Sequence, residues 1–501
     1  MQSSIFDRYI FSAGANVIRA ILSFFAGILI AKGLGVEDYG IYSFLIASFG
    51  ALLSILDLGT SNAFFTFISK KNQSRYFFAI FLIWILLIFL LSVLLLIFIL
   101  PDSWLNFIWL DSSRKIIFLA FTSIFLKTYF WNIVIQIAES QRLTKLSQSL
   151  SLLITATHFI LIIVLLLLES LSISLIFYLI IIEFLVGITI AYILFPISFS
   201  DDHKSNKDIV LDYWTYCLPL IPYIFLQMVM KFSDTWLLQE YGGAEQQAYY
   251  ALAMQFSVVC ILATSSFIKI LWKEVAEANE QKNNGKVENL YFKSTRILFV
   301  GATIFCCFLS PLAPEIIELT LGASFLPGAF VMSLMFLYPI HQTIGQINGS
   351  MYFSLGMTKM HSFFGILFMI FSTFLVYFLL APSFNLIPGL GLGALGVAIK
   401  MLVMQLIFTS VTSWYLCFQN KWSYRLTYQI LYPVLFFSLS FCCNIAANKI
   451  LGMQNNPFYE ITLSLVIYFS IVILILYKNP KILGLNKEDF KKILLSIGIS
   501  V

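Results

Sequence analysis

Residues 76–100 read YFFAIFLIWILLIFLLSVLLLIFIL. No charge, glycine or proline interrupts the run. At about 1.5 Å per residue, such a stretch of helix outreaches the ~30 Å hydrocarbon core of a bilayer. The run is continuous rather than alternating, so it reads as a membrane-spanning helix and not as a barrel strand. Similar runs recur along the whole chain. The expected spans are roughly 9–31, 41–65, 76–100, 116–138, 147–168, 172–197, 213–236, 247–271, 295–318, 327–354, 361–382, 394–417, 425–446 and 457–477. The fold class expected is therefore an all-α polytopic membrane protein of about fourteen transmembrane helices.

Composition agrees. The chain has 501 residues, 60% hydrophobic and 11% charged, with a mean hydropathy of +0.91. A soluble domain carries about 25% charged residues. A chain this poor in charge cannot coat a globular surface, so lipid must cover it. All 7 cysteines lie in apolar segments. They fit neither a metal spacing nor a secreted disulfide framework, and read as small core residues. No cleavable signal peptide is expected, because the first apolar stretch is long and leads into more membrane sequence. No cofactor, metal or nucleic acid is expected either.

Lys and Arg in the loops set the expected orientation. With the N-terminus cytoplasmic, 21 of them fall in cytoplasmic segments and 4 (Lys32, Arg114, Lys115, Lys449) outside. Both termini are then cytoplasmic in a multi-pass protein. The outward loops are short, the longest being about 101–115. The longest inward loop, 273–293, is polar and reads as a surface helix or a flexible link.

A weak internal repeat is visible. Gly35-Val36-Glu37-Asp38-Tyr39-Gly40-Ile41-Tyr42 is similar to Gly243-Ala244-Glu245-Gln246-Gln247-Ala248-Tyr249-Tyr250, at an offset of 208. Each copy follows the first helix of a six-helix block, so the two blocks should share the same topology.

Gly33-Leu34-Gly35-Val36-Glu37-Asp38-Tyr39-Gly40, followed by Ile55-Leu56-Asp57-Leu58-Gly59-Thr60, resembles the opening of Wzx-type O-antigen and polysaccharide flippases. These belong to the multidrug/oligosaccharidyl-lipid/polysaccharide exporter superfamily. Gly389-Leu390-Gly391-Leu392-Gly393-Ala394-Leu395-Gly396 is similar to the family's C-terminal lobe. The resemblance implies two six-helix lobes in a V around a hydrophilic central cavity, 1–200 and 201–420, with two additional helices and a tail in 421–501. Twelve helices are commonest in the family, and relatives that flip the peptidoglycan precursor have fourteen.

Polar groups inside helices mark the expected site. A cation at mid-helix costs roughly 2.5–3.5 kcal/mol on insertion scales, so it usually faces a cavity or a partner. Ser12, Asn16, Arg19, Ser23 and Gly27 share one face of the first helix. Tyr216, Pro219, Tyr223, Gln227, Lys231 and Asp234 form a second stripe, and Tyr338, Gln342, Gln346 and Gly349 a third. Lys127 and Lys400 add cations. Such a lumen suits a diphosphate-linked glycan: cations hold phosphate, while amides and aromatics hold sugar hydroxyls. The expected substrate-binding residues are Arg19, Asn16, Lys127, Gln227, Lys231, Gln342 and Lys400. Asp57, Asp234 and Glu183 are expected to be structural or coupling residues. Lys231 and Asp234, at i and i+3, are equally placed to pair with each other. His158 and His341 read as hydrogen-bonded core residues.

These features point to a transporter rather than an enzyme. The expected activity moves a polyprenyl-diphosphate-linked oligosaccharide, an O-antigen or capsule repeat unit, to the outer leaflet of the bacterial inner membrane by alternating access. Its partners are the lipid-linked substrate, membrane lipid and other polysaccharide-assembly proteins. No Gly-x-x-x-x-Gly-Lys-[Ser/Thr] motif is present, so direct ATP use is not expected. One rival is an ion-coupled multidrug exporter of the same superfamily, which would favour an acidic lumen. The other is a membrane polymerase or ligase, which would need a substantial outward catalytic loop.

Overall fold

The computed structural model describes residues 5–70, 73–110, 112–195, 205–424, 426–451 and 456–485. Among the described residues there is no strand. The helices are α1 Ile5–Asp57, α2 Thr60–Lys70, α3 Arg75–Leu94, α4 Asp102–Trp109, α5 Arg114–Phe125, α6 Trp131–Ser140, α7 Thr144–Leu167, α8 Ile173–Leu194, α9 Asn206–Cys217, α10 Ile221–Glu280, α11 Asn284–Leu309, α12 Ala313–Thr320, α13 Ala329–Ser354, α14 Thr358–Leu380, α15 Gly393–Asn420, α16 Thr427–Leu451 and α17 Pro457–Lys478. In hydrocarbon every backbone N–H and C=O must be satisfied within the protein, and a helix does this within one segment. Side-chain caps close several first turns. Ser74 accepts from Phe77 N, Ser172 from Leu175 N, and Asn456 from Phe458 N.

Helix α3 shows why the opening stretch is apolar all round. Phe77, Phe78, Phe81, Ile85 and Ile88 are buried on one face. Ile83, Leu86, Leu87, Leu90 and Leu91 are exposed on the other. A soluble helix would carry charge on that second face; here it meets lipid. The protein is a multi-pass membrane protein.

Twelve helical stretches among the described residues are long and apolar enough to cross a membrane, against about fourteen expected. Two of them are much longer than the rest. Ile10–Asp57 has 48 residues and Asn206–Ile261 has 56, and each counts once. A single crossing needs about 20 residues, so each is long enough for two. Each also breaks at a glycine. Gly35 has φ 77, ψ 177 and Gly243 has φ 78, ψ 179. These are the equivalent positions of the repeat at offset 208, so the two copies fold the chain at the same corner. That conformation is essentially restricted to glycine. Gly35→Ala and Gly243→Ala should each cost about 1–3 kcal/mol. Thermal unfolding in detergent checks this, with Gly14→Ala as control because open space surrounds that position. Equal melting temperatures for all three variants and wild type would refute the shared corner.

Two connections carry helix of their own. The loop near 101–115 contains α4, with Leu105 and Trp109 buried. The connection 273–293 is almost wholly helix, the first of the two forms its sequence suggested: α10 runs to Glu280 and α11 starts at Asn284. Lys273 and Lys286 pair there with Glu277 (3.6 Å) and Glu274 (3.3 Å).

The chain forms two compact units: Met1–Ala248 with Val376–Gly391, and Tyr249–Leu375 with Leu392–Val501. In the first, α1 packs against α7 and α5, and α5 against α8. Stacked aromatics fill its α3–α9 side, with Phe64 and Phe81 centroids 4.1 Å apart and Phe77 and Tyr213 5.3 Å apart. In the second, α11, α13, α16 and α17 share a core that includes Phe299, Cys307, Ile344, Phe436 and Tyr468. Tyr468 and Ser440 donate to the carbonyls of Ile304 (3.0 Å) and Phe308 (3.2 Å), so α17 and α16 are tied to α11. Asn348 is a buried polar knot. It accepts from Tyr291 and donates to Thr412, Ser413 and the Thr409 carbonyl. Such side-chain bonds join helices where the hydrophobic effect cannot. The cysteines are free, and all but half-buried Cys260 and exposed Cys442 are buried.

Candidate functional site

A cavity of about 640 Å³ lies wholly within the first unit, inside the range of small-molecule sites. The first arm of α1 supplies Asn16, Arg19 and Ser23; the second arm supplies Tyr42 and Gly50. Ser123, Lys127 and Thr128 come from α5 and the segment after it. Ser151, Thr155 and His158 come from α7, and Glu183 from α8.

Local structure aims these groups. Arg19 donates from Nη2 to Asn16 Oδ1, one turn earlier on the same face. Its Nε has no hydrogen-bond partner among the described residues, and the field of Glu139 reaches it. A guanidinium with an unused donor beside a cavity is a ready anion site. Lys127 sits on a π turn, Leu126–Phe130, that interrupts the span Arg114–Ser140. The wider turn displaces the side chains after it from the regular helical stripe. Such bulges are common at functional positions.

Glu183 is buried and bonds His158 Nδ1 at 2.9 Å through Oε2, while its Oε1 has no partner among the described residues. Its charge acts on both Lys127 and Tyr42. The cavity thus holds two cations, one carboxylate and a histidine, with hydroxyls and an amide around them. Its groups suit reversible binding of an anionic, hydroxyl-rich ligand.

Four of the sequence-expected residues come together here: Asn16, Arg19, Lys127 and Glu183. The others lie elsewhere. Asp57 Oδ1 accepts from Thr60 Oγ1 (2.9 Å), Ser61 N (3.0 Å) and Ser61 Oγ (2.7 Å), capping the break between α1 and α2. Gln227 and Asp234 are half-buried, and Lys231 is exposed, on the first arm of α10 outside this cavity. That arm starts after a break: α9 ends at Cys217 and a short 3-10 turn holds Pro219. Gln342 is half-buried in α13. Lys400 in α15 is only 2% exposed. Sequence reasoning missed Tyr42, Ser151 and Thr155 and did not join His158 to Glu183. The signal was there: Ser147, Ser151, Thr155 and His158 follow 4, 4, 3 spacing on α7.

The family described as Polysaccharide biosynthesis protein matches residues 6–266. Among solved structures, the lipid II flippase MurJ in an inward closed conformation is similar over 93% of this chain and 99% of its own, with a TM-score of 0.69 and 17% identity. An inward-facing multidrug resistance MATE family transporter is similar over 83% of this chain and 100% of its own, with a TM-score of 0.60 and 16% identity. For a MOP superfamily transporter from Pyrococcus furiosus, the figures are 82%, 94%, 0.56 and 15%. At such identities the likeness is one of fold, and the fold is that of the MOP superfamily transporters. No curated protein sequence matches the chain.

Proposed function

The chain belongs to the polysaccharide biosynthesis protein family, and on that premise we propose that it is a flippase for a polyprenyl-diphosphate-linked oligosaccharide, an O-antigen or capsule repeat unit. It moves the glycan from the inner to the outer leaflet of the bacterial inner membrane by alternating access. Both termini are cytoplasmic. Fourteen crossings form two six-helix lobes, 1–200 and 201–420, with two further helices in 421–501. The lipid tail stays in the bilayer while the charged headgroup crosses through protein.

The observation that carries this reading is the cavity of Arg19 and Lys127 among hydroxyl and amide groups within the membrane spans. A desolvated cation is expensive unless water or an anion meets it. A diphosphate would meet both cations, and sugar hydroxyls would find Asn16, Ser151 and Thr155. The fold's likeness to a lipid II flippase supports the class of cargo. Lys231, Gln227, Gln342 and Lys400 are secondary substrate contacts in this proposal, Asp57 is structural, and Glu183 and Asp234 serve coupling or structure. Other polysaccharide-assembly proteins would take up the delivered unit.

One observation favours the multidrug-exporter reading: Glu183 puts an anion in the same cavity. Gene deletion separates the alternatives. The expected result is loss of surface polysaccharide, with lipid-linked repeat units accumulating on the cytoplasmic leaflet. Normal polysaccharide in a deletion strain lacking any second flippase would reject the proposal. Arrest of cell-wall synthesis instead would reassign the cargo to the peptidoglycan precursor.

A further inference from the structure

A second polar cavity lies within the second unit and is unrelated to the first. Its volume is about 410 Å³, and it forms where α11, Ser423 and Tyr424, the start of α16, and the segment after α17 meet. Lys293, Arg296 and Lys481 line it together with one carboxylate, Glu288. Among the described residues none of the three cations has a carboxylate within ion-pair distance. The wall is therefore net positive.

Arg296 is fixed in place. Its Nε donates to the Ile482 carbonyl at 2.8 Å and its Nη2 to the Tyr432 hydroxyl at 2.6 Å. Its guanidinium lies 4.4 Å from the Tyr428 ring centroid and 5.0 Å from that of Tyr432. It thus holds the segment after α17 against α11 and α16. Lys293 and Lys481 are exposed and keep all their donors for a ligand. Gln429 is 2% exposed and lines the same cavity. Its Nε2 reaches the Tyr428 hydroxyl at 3.5 Å, but its Oε1 has no partner among the described residues. A buried acceptor left unpaired costs about 1–3 kcal/mol and calls for a donor.

We propose that this cavity binds the headgroup of an anionic glycerophospholipid, with Lys293 and Lys481 on its phosphate and Gln429 Oε1 accepting from a headgroup hydroxyl. Three features favour a lipid over a soluble anion. The cavity lies at the end of membrane spans. The helices that frame it expose apolar side chains, Ile430, Leu431 and Tyr477, against which acyl chains can lie. The Lys/Arg distribution puts this end on the cytoplasmic side, where anionic lipid and basic pockets between helices go together. Bound there, the lipid would bridge α11 to the segment after α17 and stabilise the second unit.

The test uses purified full-length protein in an uncharged detergent. Phosphatidylglycerol, phosphatidylcholine and inorganic phosphate are added in parallel, and binding is read by native mass spectrometry and thermal unfolding. Wild type should bind phosphatidylglycerol about tenfold or more tightly than phosphatidylcholine, and melt at a higher temperature with it. Lys293→Ala/Lys481→Ala should lose that preference, and Lys293→Arg/Lys481→Arg should keep it. Equal binding of the two lipids, or unchanged phosphatidylglycerol binding by the double alanine variant, would overturn the proposal. Inorganic phosphate binding as tightly as the lipid would also overturn it, by making the ligand a soluble anion. No transport is measured, so the result stands apart from the flippase reading.

Discussion

Arg19→Glu is expected to abolish flipping while the protein still inserts and accumulates normally. Arg19 lines the first-unit cavity and is half-buried, so a glutamate there faces space rather than packed core. The cavity already contains Glu183. Exchanging a cation for an anion replaces attraction of the diphosphate by repulsion. At about 4 Å and an effective dielectric near 20 that interaction is worth about 4 kcal/mol, which is roughly three orders of magnitude in rate. Arg19→Ala removes the attraction without adding repulsion and should fall between. Arg19→Lys keeps the charge but loses the two-pronged donor, so it should retain part of the activity. Complementation of a deletion strain measures all three. Full complementation by well-expressed Arg19→Glu would remove the cationic-cavity account.

Gly40→Leu should eliminate folded protein, and Gly50→Leu should fold but fail to transport. Both glycines lie on the second arm of α1. A Cβ at Gly40 would stand 1.9 Å from the Ala244 carbonyl oxygen and 2.5 Å from its carbon, both backbone atoms with no freedom to swing away. The arm after the first corner thus packs backbone to backbone on the start of the second. Small residues permit such approaches in membranes. At Gly50 nothing lies within 4 Å of the added Cβ, and the position lines the cavity. Leucine there fits the helix and fills cavity space that the proposed function gives to the substrate. Size-exclusion profiles of the tagged protein distinguish the two. A monodisperse Gly40→Leu peak equal to wild type, or an aggregated Gly50→Leu, would reverse the assignment.

The helices were readable because a bilayer permits so few backbone solutions. A run such as 76–100 has no other stable form. The corners were partly readable: three matches in eight residues linked Gly35 to Gly243, but the φ they share is a backbone property that spelling does not show. The site was readable where a charge is costly, at Arg19 and Lys127. Cost alone does not say what meets the charge: Lys400 is 2% exposed and lines neither of the two polar cavities. The His158–Glu183 bond joins two helices through residues 25 apart in sequence. The stripe on α7 that would have flagged it is muted, because Ser151 and Thr155 return their hydroxyls to their own helix. The π turn at Lys127 leaves the hydropathy pattern unchanged.

The most direct test of the flippase reading is transport by the purified protein alone. Proteoliposomes would carry a polyprenyl-diphosphate-linked oligosaccharide with a fluorescent glycan label, and an impermeant quencher would report the fraction exposed on the outer leaflet over time. The account predicts that wild-type vesicles move labelled lipid between leaflets, and that Arg19→Glu vesicles hold it like protein-free ones. Equal traces for wild-type and protein-free vesicles under every imposed ion gradient, or equal rates for wild type and Arg19→Glu, would contradict it.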